Sequence, residues 1–507
     1  MLHENASTCF ILESLTSSIM VSFSVRQGDP LAMLLFIIYI EPFLISLERK
    51  LTGLQLWGPC LGLGPVESYC DDVNILTADD NDFPIIDLEV RNFERVSGAI
   101  LSRGKKSKVL GFGTWKLREN WPLPWLACEK NIKVFGVFIA DNYWEMIRIN
   151  WNYRLQKVQN VLYSWSSRSL LTLEQRVEVI RLFALSRTYY TASILPITAT
   201  YVKKFESSII KFLWKGSFSL TKVSINELKN DKLDGGLRLP CLATMGQALF
   251  TSQCIRLLKN GCSKYTGHLD YWLGTLLENI VVGMGLHEQP TVDNAYFCKL
   301  GDYLASIIIS ELLTADSIRT LTNKEIYNHL VNFPQPKIVR EAPASVDFKP
   351  VWNRLFCPLL SLEEREIQFL IIHKKLPVSD RLFQIGMKND PYCLYCPGAV
   401  IGDIEHFFSS CVRTQLAWNW LKTKLLQLCS GGLLTSNADL LSFFLPVGSR
   451  EPEFVWLIGK FTFYAWTTVF IKDSDVKIDK FIGFLKFKFK NEKLKALIGG
   501  LGQFLLP

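Results

Sequence analysis

Two groups of residues in this chain have the types and spacing to do chemistry. The first is Tyr69-Cys70-Asp71-Asp72. Adjacent carboxylates between β-rich flanks present hard oxygen ligands at a hairpin tip, the kind of site that Mg²⁺ fills with one or two carboxylates, water and phosphate oxygens. Two such ions activate a 3′-hydroxyl and stabilise a leaving pyrophosphate. The bland alternative is a solvated turn, where aspartate is favoured in any case. Asp79-Asp80 serves as a control: it precedes Asn81-Asp82 and a predicted helix, so capping accounts for it. The second group is Cys393-x2-Cys396-x9-His406-x4-Cys411. Three thiolates and an imidazole close a tetrahedral shell around Zn²⁺, and a shell with no open position is structural rather than catalytic. The alternative is three buried cysteines and a core histidine.

The elements that must hold these groups are legible in outline. Met20 to Val25 alternates like a strand and leads into Arg26-Gln27-Gly28-Asp29-Pro30, then into the apolar stretch Leu31 to Ile40, closed by Glu41-Pro42. That stretch suits a buried helix or strand. Glu67 to Leu76 reads as two short strands around the aspartate pair. Ile85, Leu88, Phe93, Val96 and Ile100 fit one helical face, with Asp82 as cap and Pro84 in the first turn. Ile132 to Ile139 is strand-like, with Gly136 a point of close approach. From about Asn150 the pattern is helical: Leu155, Val158, Leu162 and Trp165; then a capping box at Thr172-Leu173-Glu174-Gln175 followed by Val177, Ile180 and Ala184; then Val202, Phe205, Ile209 and Phe212. Pro196 ends the second of these, and Asp234-Gly235-Gly236 breaks the chain again. Residues 262–345 are weakly patterned, and Pro334-Gln335-Pro336 with Ala342-Pro343-Ala344-Ser345 reads as a boundary. In the tail, Phe481, Phe484, Phe487 and Phe489 interleave with Lys486, Lys488 and Lys490, a strand-like alternation.

Composition limits the possibilities. The chain has 507 residues, an apolar fraction of 49% and a charged fraction of 21%, which excludes a disordered, collagenous or mainly coiled-coil protein. At roughly 100–200 residues per domain the length suggests about three or four units. Lys+Arg 56 against Asp+Glu 48 leaves +8, which permits a nucleic-acid partner without demanding one. Thirteen scattered cysteines and no basic-then-apolar leader point to a reducing compartment, nucleus or cytoplasm. The longest apolar run is too short for a bilayer, which needs roughly 20 residues, so no membrane is expected.

In order and spacing, Arg26-Gln27-Gly28-Asp29-Pro30-Leu31, Tyr69-Cys70-Asp71-Asp72, Ser97-Gly98 with Gly104-Lys105-Lys106-Ser107, and Lys133-Val134-Phe135-Gly136 resemble motifs B, C, D and E of the reverse transcriptase palm of non-LTR (LINE-type) retrotransposons. The resemblance implies an α+β fold: a partial polymerase palm, antiparallel sheet with helices, then an all-α thumb and a helical zinc-binding C-terminal region. It implies Asp71 as the main Mg²⁺ ligand with Asp72 as its partner. Gly28 would let the backbone approach nucleotide or template, and Arg26, Gln27 and Tyr69 would help position them. Lys105 or Lys106 would supply a cation or proton donor near the leaving phosphate, the alternative being a solvated basic loop. There are departures. Ala32-Met33 replaces a usual Ser-Pro, Cys70 stands where alanine is frequent, and Ser102 stands where the family has asparagine. More seriously, family palms carry a further aspartate in motif A, upstream of motif B. Here Asp29 is the first aspartate, preceded only by Glu4 and Glu13, so the chain reads as N-terminally truncated and not competent alone.

Trp165, Leu170, Arg176, Phe212-Leu213-Trp214 and Gly235 to Pro240 resemble the thumb and post-thumb of the same elements, with Lys203, Lys204, Lys211 and Lys215 available to phosphates or simply a wet basic face. Leu376-Pro377-Val378, Arg381-Leu382-Phe383 and Pro391-Tyr392-Cys393 resemble the zinc region that follows. Lys374, Lys375, Arg381, Tyr392, Tyr395 and Trp418 would stack on or neutralise nucleic acid there, and His373 would be a surface or packing residue. The expected division is palm 1–145, thumb 146–260, helical connection 261–345, zinc region 346–430 and tail 431–507. The expected partners are element RNA as template, target DNA as primer and deoxynucleotides. The alternative is a non-catalytic RNA- or DNA-binding remnant with a structural zinc. No endonuclease or RNase H constellation is identifiable in the sequence, so those activities are not expected.

Overall fold

The computed structural model describes residues 31–55, 62–70, 72–168, 171–214, 223–259, 266–281, 284, 294–341, 347–428 and 451–491, with two-residue strands at Ser7–Thr8 and Ile19–Met20. Helices dominate and the strands are short, an α+β mixture. Contacts divide the chain into two units: residues 1–152, 193–196 and 250–322, and residues 153–192, 197–249 and 323–507.

In the first unit the helices Ala32–Lys50 and Asp82–Ser97 share a core of Leu47, Leu51, Val66, Phe83, Ile86, Val90 and Leu123, edged by Trp115, Trp121 and Trp125. Phe43 stacks on Phe93 across the two helices, and Lys50 and Ser46 donate to Glu89, each at 2.6 Å. Those two donors hold the Glu89 carboxyl below its usual range. The strands pair only in twos among the described residues. Val66–Tyr69 runs antiparallel to Asp72–Ile75, and Asn131–Val134 antiparallel to Val137–Ala140. Gly104–Val109 runs parallel to Leu126–Cys128, so the sheet is not antiparallel throughout as the sequence suggested.

The second unit is helical. The rod Leu173–Val179 continues through a π turn, Ile180–Leu185, into Ser186–Ala192, and packs on Ala199–Leu213. The box read at Thr172 forms both of its bonds with Gln175. Arg176 is buried but satisfied, donating to the carbonyls of Leu171 at 3.0 Å and Phe212 at 2.8 Å. Pro334 to Lys337 packs on the 227–235 segment: Asn230 Nδ2 donates to the Pro334 carbonyl at 2.9 Å, and the Lys337 N–H to Glu227 Oε1 at 2.8 Å. The remaining core joins Leu362–Ile372, Gln415–Leu428, Glu451–Trp466 and Ile478–Asn491 around Phe408, Trp456, Phe461 and Phe481.

Three sequence expectations change. The helix Asp82–Ser97 buries Phe83, Ile86 and Val90, whereas Leu88 and Val96 of the expected face, and Ile100 just beyond it, are exposed. Ile85 and Phe93 of the expected face do pack inward, but that side also carries Asp82 and Glu89, whose partners (Thr52 and Thr77; Lys50 and Ser46) lie outside the helix, so apolar periodicity alone captures only part of it. The first apolar run does not end at Pro42 and is not uniformly buried. Its helix runs through the proline, whose missing N–H falls opposite the carbonyl of Ile38, a residue on the exposed side. The lysine-bearing tail is a helix, Ile478–Asn491, not a strand: Phe481 and Leu485 are fully buried and Phe484 packs on Tyr464. One segment, Glu453–Ile471, is long and apolar enough by composition to cross a membrane; 72% of it is buried inside the fold.

Candidate functional site

Asp72 belongs to a hairpin in which it pairs with Tyr69. Cys70, just after Tyr69, takes a left-handed φ of 54°. Asp71 lies outside the described residues, as do Arg26, Gln27 and Gly28. Asp72 is exposed, and so is Tyr69. The Tyr69 ring meets the Phe135 ring edge-on, centroids 6.3 Å apart. Phe135 and Gly136 are themselves the two-residue turn of the next hairpin, joining Val134 to Val137, with φ of 46° and 84°. Positive φ at both central residues is what a type I′ turn requires, and Gly136 meets that at no steric cost. Lys106 is exposed on the strand Gly104–Val109 and, among the described residues, makes no ion pair. The same strand contains Lys105, whose side chain lies outside what is described.

The Cys/His group does converge. Cys393, Cys396, His406 and Cys411 each offer a ligand atom, all within 4.8 Å of one another. The sulfurs of Cys393 and Cys396 each lie 3.9 Å from that of Cys411, and Cys396 Sγ lies 3.3 Å from His406 Nε2. A tetrahedron with Zn–S of about 2.3 Å and Zn–N of about 2.0 Å has edges of roughly 3.8 Å between sulfurs and 3.5 Å from sulfur to nitrogen. The donor set and its spacing thus fit one zinc ion. A bridge between Tyr392 and Ile401 closes the loop that carries the first two cysteines, and the Cys393 N–H donates to the Val400 carbonyl at 2.8 Å. Gly402 lies under this loop, where a Cβ would come within 3.1 Å of the Cys393 backbone. Asp403 Oδ1 accepts the His406 N–H at 2.7 Å, and the Cys411 N–H closes on the His406 carbonyl at 2.8 Å.

Burial pushes the Cys411 thiol up to about 12 and the His406 imidazole below its usual value. A bound cation compensates for the first effect and uses the second, since it needs thiolate and neutral imidazole. Two partners were not apparent from the sequence. Ser410 Oγ lies 3.0 Å from His406 Nδ1, so a ring ligating through Nε2 donates its other N–H there. Arg413 stacks on Tyr395 at 4.0 Å and pairs with Asp473 at 2.6 Å, tying the loop to the segment before the last helix. The spacing His406-x3-Ser410, one helical turn, was the available signal for the first.

The residues expected to face nucleic acid separate. Trp418 is 3% exposed and packs on Phe461, so it has no ring face to offer a base. His373 is buried between Trp352 and Phe369, with Nε2 3.0 Å from the Gly235 carbonyl, a packing role. Tyr392 and Lys374 are exposed, and Lys375 is half-buried, which lowers its basicity. Lys203, Lys204 and Lys211 lie on the outer side of Ala199–Leu213; Lys215 lies outside the described residues.

Fold and site together define a helix-rich α+β chain with a hairpin-borne aspartate and a Cys₃His cluster that could hold a metal ion. It is similar to the Transposon TX1 uncharacterized 149 kDa protein of Xenopus laevis, with 29% identity over 255 residues, 48% of this chain. The chain spans only 18% of the length of that relative. No family model matches it.

Proposed function

We propose that this chain derives from a non-LTR retrotransposon and represents the reverse transcriptase palm from motif B to motif E, the thumb and the zinc region that follows. The observation that supports this reading is the edge-on contact of Tyr69 with Phe135, which sets the hairpin of Tyr69 and Asp72 against the turn of Lys133-Val134-Phe135-Gly136. On the resemblance, these are the turns of motifs C and E. The similarity to a transposon protein points to the same source. On this reading Asp71 and Asp72 hold Mg²⁺, with Arg26, Gln27, Gly28 and Tyr69 about the nucleotide and template and Lys105 or Lys106 near the leaving phosphate. The Cys₃His centre holds zinc and acts by fixing its loop, not by chemistry.

A two-metal site needs a carboxylate from a second strand, and the only acids before Asp29 in these 507 residues are Glu4 and Glu13. We infer that these 507 residues by themselves bind template and primer without extending it. The test is a DNA primer annealed to an RNA template, with Mg²⁺ and deoxynucleotides. Binding should be strongly salt-dependent, extension absent, and Mn²⁺ should broaden or quench probes at the Asp72 hairpin in wild type but not in Asp72→Asn. Processive synthesis would refute the inactivity; no hybrid binding at low salt would refute the palm-and-thumb reading itself.

A further inference from the structure

One surface of the second unit is not used by the metal centre, by the hairpin, or by the lysines of Ala199–Leu213. It lies where the end of the helix Tyr143–Ser166 meets the π turn Ile180–Leu185. There the rings of Trp165 and Phe183 stack, centroids 5.4 Å apart and 29° between planes. The Arg168 guanidinium lies 4.1 Å above the Trp165 ring. Arg187, one turn beyond Phe183, is exposed and donates from Nε to the Phe183 carbonyl at 3.2 Å, which fixes both on one face. Tyr190 continues that stripe. Phe183 and Tyr190 stay 47% and 50% exposed beside the Trp165 ring.

The chain on either side of these rings is basic, with Glu178 answered by Arg181. Between Glu145 and Glu174 the chain has Arg148, Arg154, Lys157 and Arg168 and no acid; between Glu178 and Glu206 it has Arg181, Arg187, Lys203 and Lys204 and no acid. Of these, Arg148 and Arg181 are spent locally on Glu145 and Glu178. Arg154 Nε donates to the buried Thr191 hydroxyl at 2.7 Å, which ties the two helices together beneath this face. The π turn is a second pointer, because such turns sacrifice hydrogen-bond geometry and recur at functional sites. Here the turn carries Leu182 and Phe183 outward.

We infer that Trp165, Phe183, Arg168 and Arg187 form a stacking platform for a single-stranded nucleic acid. Rings and guanidinium planes stack on unpaired bases irrespective of sequence, and free cations beside them take the phosphates. The rise from Phe183 to Tyr190 is about 10 Å along a helix, room for about three stacked bases at the usual step near 3.4 Å. A duplex offers no base face to such a platform and would use the lysine face instead. This inference deepens the nucleic-acid reading above and names the partner of one surface.

The experiment uses the full chain with a fluorescent 20-nucleotide oligo(dT), and in parallel the RNA–DNA hybrid. Phe183→Ala should weaken oligo(dT) binding about tenfold or more while hybrid binding changes less than twofold. Phe183→Tyr should restore it. Arg168→Gln with Arg187→Gln should reduce the slope of log affinity against log salt by about 1.4, two single-strand contacts at about 0.7 each. Unchanged thermal melts establish that the variants fold. Wild-type affinity and slope in the variants overturn the platform while leaving the hybrid reading intact. So does an absence of oligo(dT) binding in wild type that still binds hybrid.

Discussion

Lys460 Nζ and Glu364 Oε2 lie 2.8 Å apart, with both side chains 1% exposed. The pair links the helix Glu451–Trp466 to the capping box of Leu362–Ile372, where the same Glu364 oxygen accepts the Ser361 N–H at 3.0 Å. Removing one partner from a buried ion pair leaves an uncompensated charge, which costs about 3–5 kcal/mol, whereas replacing both with apolar groups is often close to neutral. Lys460→Met should therefore lower unfolding stability of the second unit by about that amount. Glu364→Gln combined with Lys460→Met should recover part of the loss. Urea unfolding of the four members of this cycle, followed by tryptophan fluorescence, checks it. Equal destabilisation by single and double variants would mean the charge pair is not what the site depends on.

The metal centre makes a second prediction. About one zinc per chain should appear on elemental analysis, and chelation should loosen the second unit. Two buried core residues of that unit, Phe408 and Cys411, belong to the same turn as His406. Ser410→Ala should keep the fold but weaken zinc retention by about 10- to 100-fold against a competing chelator, because His406 loses its orienting acceptor. Metal-free protein with an unchanged melt would remove the zinc assignment.

His373 predicts a pH dependence. Burial pulls its pKa from 6.5 to about 4, against the modest pull of Glu227 in the other direction. The folded state therefore prefers the neutral ring, and its contribution is full above about pH 6.5. That contribution falls as pH drops from 6.5 towards 4, where the unfolded chain takes a proton the folded chain refuses. The loss is on the order of 3 kcal/mol across the window. His373→Gln should flatten this part of the stability–pH curve, measured by denaturant unfolding between pH 7 and pH 4.5. The same slope in the variant would place the titration elsewhere.

What could be read from the sequence depended on whether the signal is local. The box at Thr172 and Gln175 and the spacing of Cys393, Cys396, His406 and Cys411 are both local, and the structure forms the one and gathers the other. The face of Asp82–Ser97 was legible only in part because Asp82 and Glu89 face inward, bonded to residues on other elements. The tail misled because lysines at alternate positions imitate a strand. The helix is set by Phe481, Phe484 and Leu485, at spacings of three and four. Trp418 illustrates the same limit: nothing in its neighbours announces that Phe461 will cover it.

Phe135 separates stability from function. Its φ of 46° is left-handed, which costs a non-glycine residue roughly 1–2 kcal/mol, and its ring is set against Tyr69 by that backbone. An aromatic pair contributes about 0.5–1.5 kcal/mol beyond its burial. Phe135→Asn relaxes the turn, since asparagine tolerates this region, and removes the ring contact; the two effects offset to within about 1 kcal/mol. The melting curve should therefore scarcely move. If the two turns grip one primer end, hybrid affinity should nonetheless fall several-fold, and Tyr69→Ala should add little to it because both changes break the same contact. Additive losses from Phe135→Asn and Tyr69→Ala would show that the rings act separately and would detach the Lys133–Gly136 turn from the aspartate hairpin.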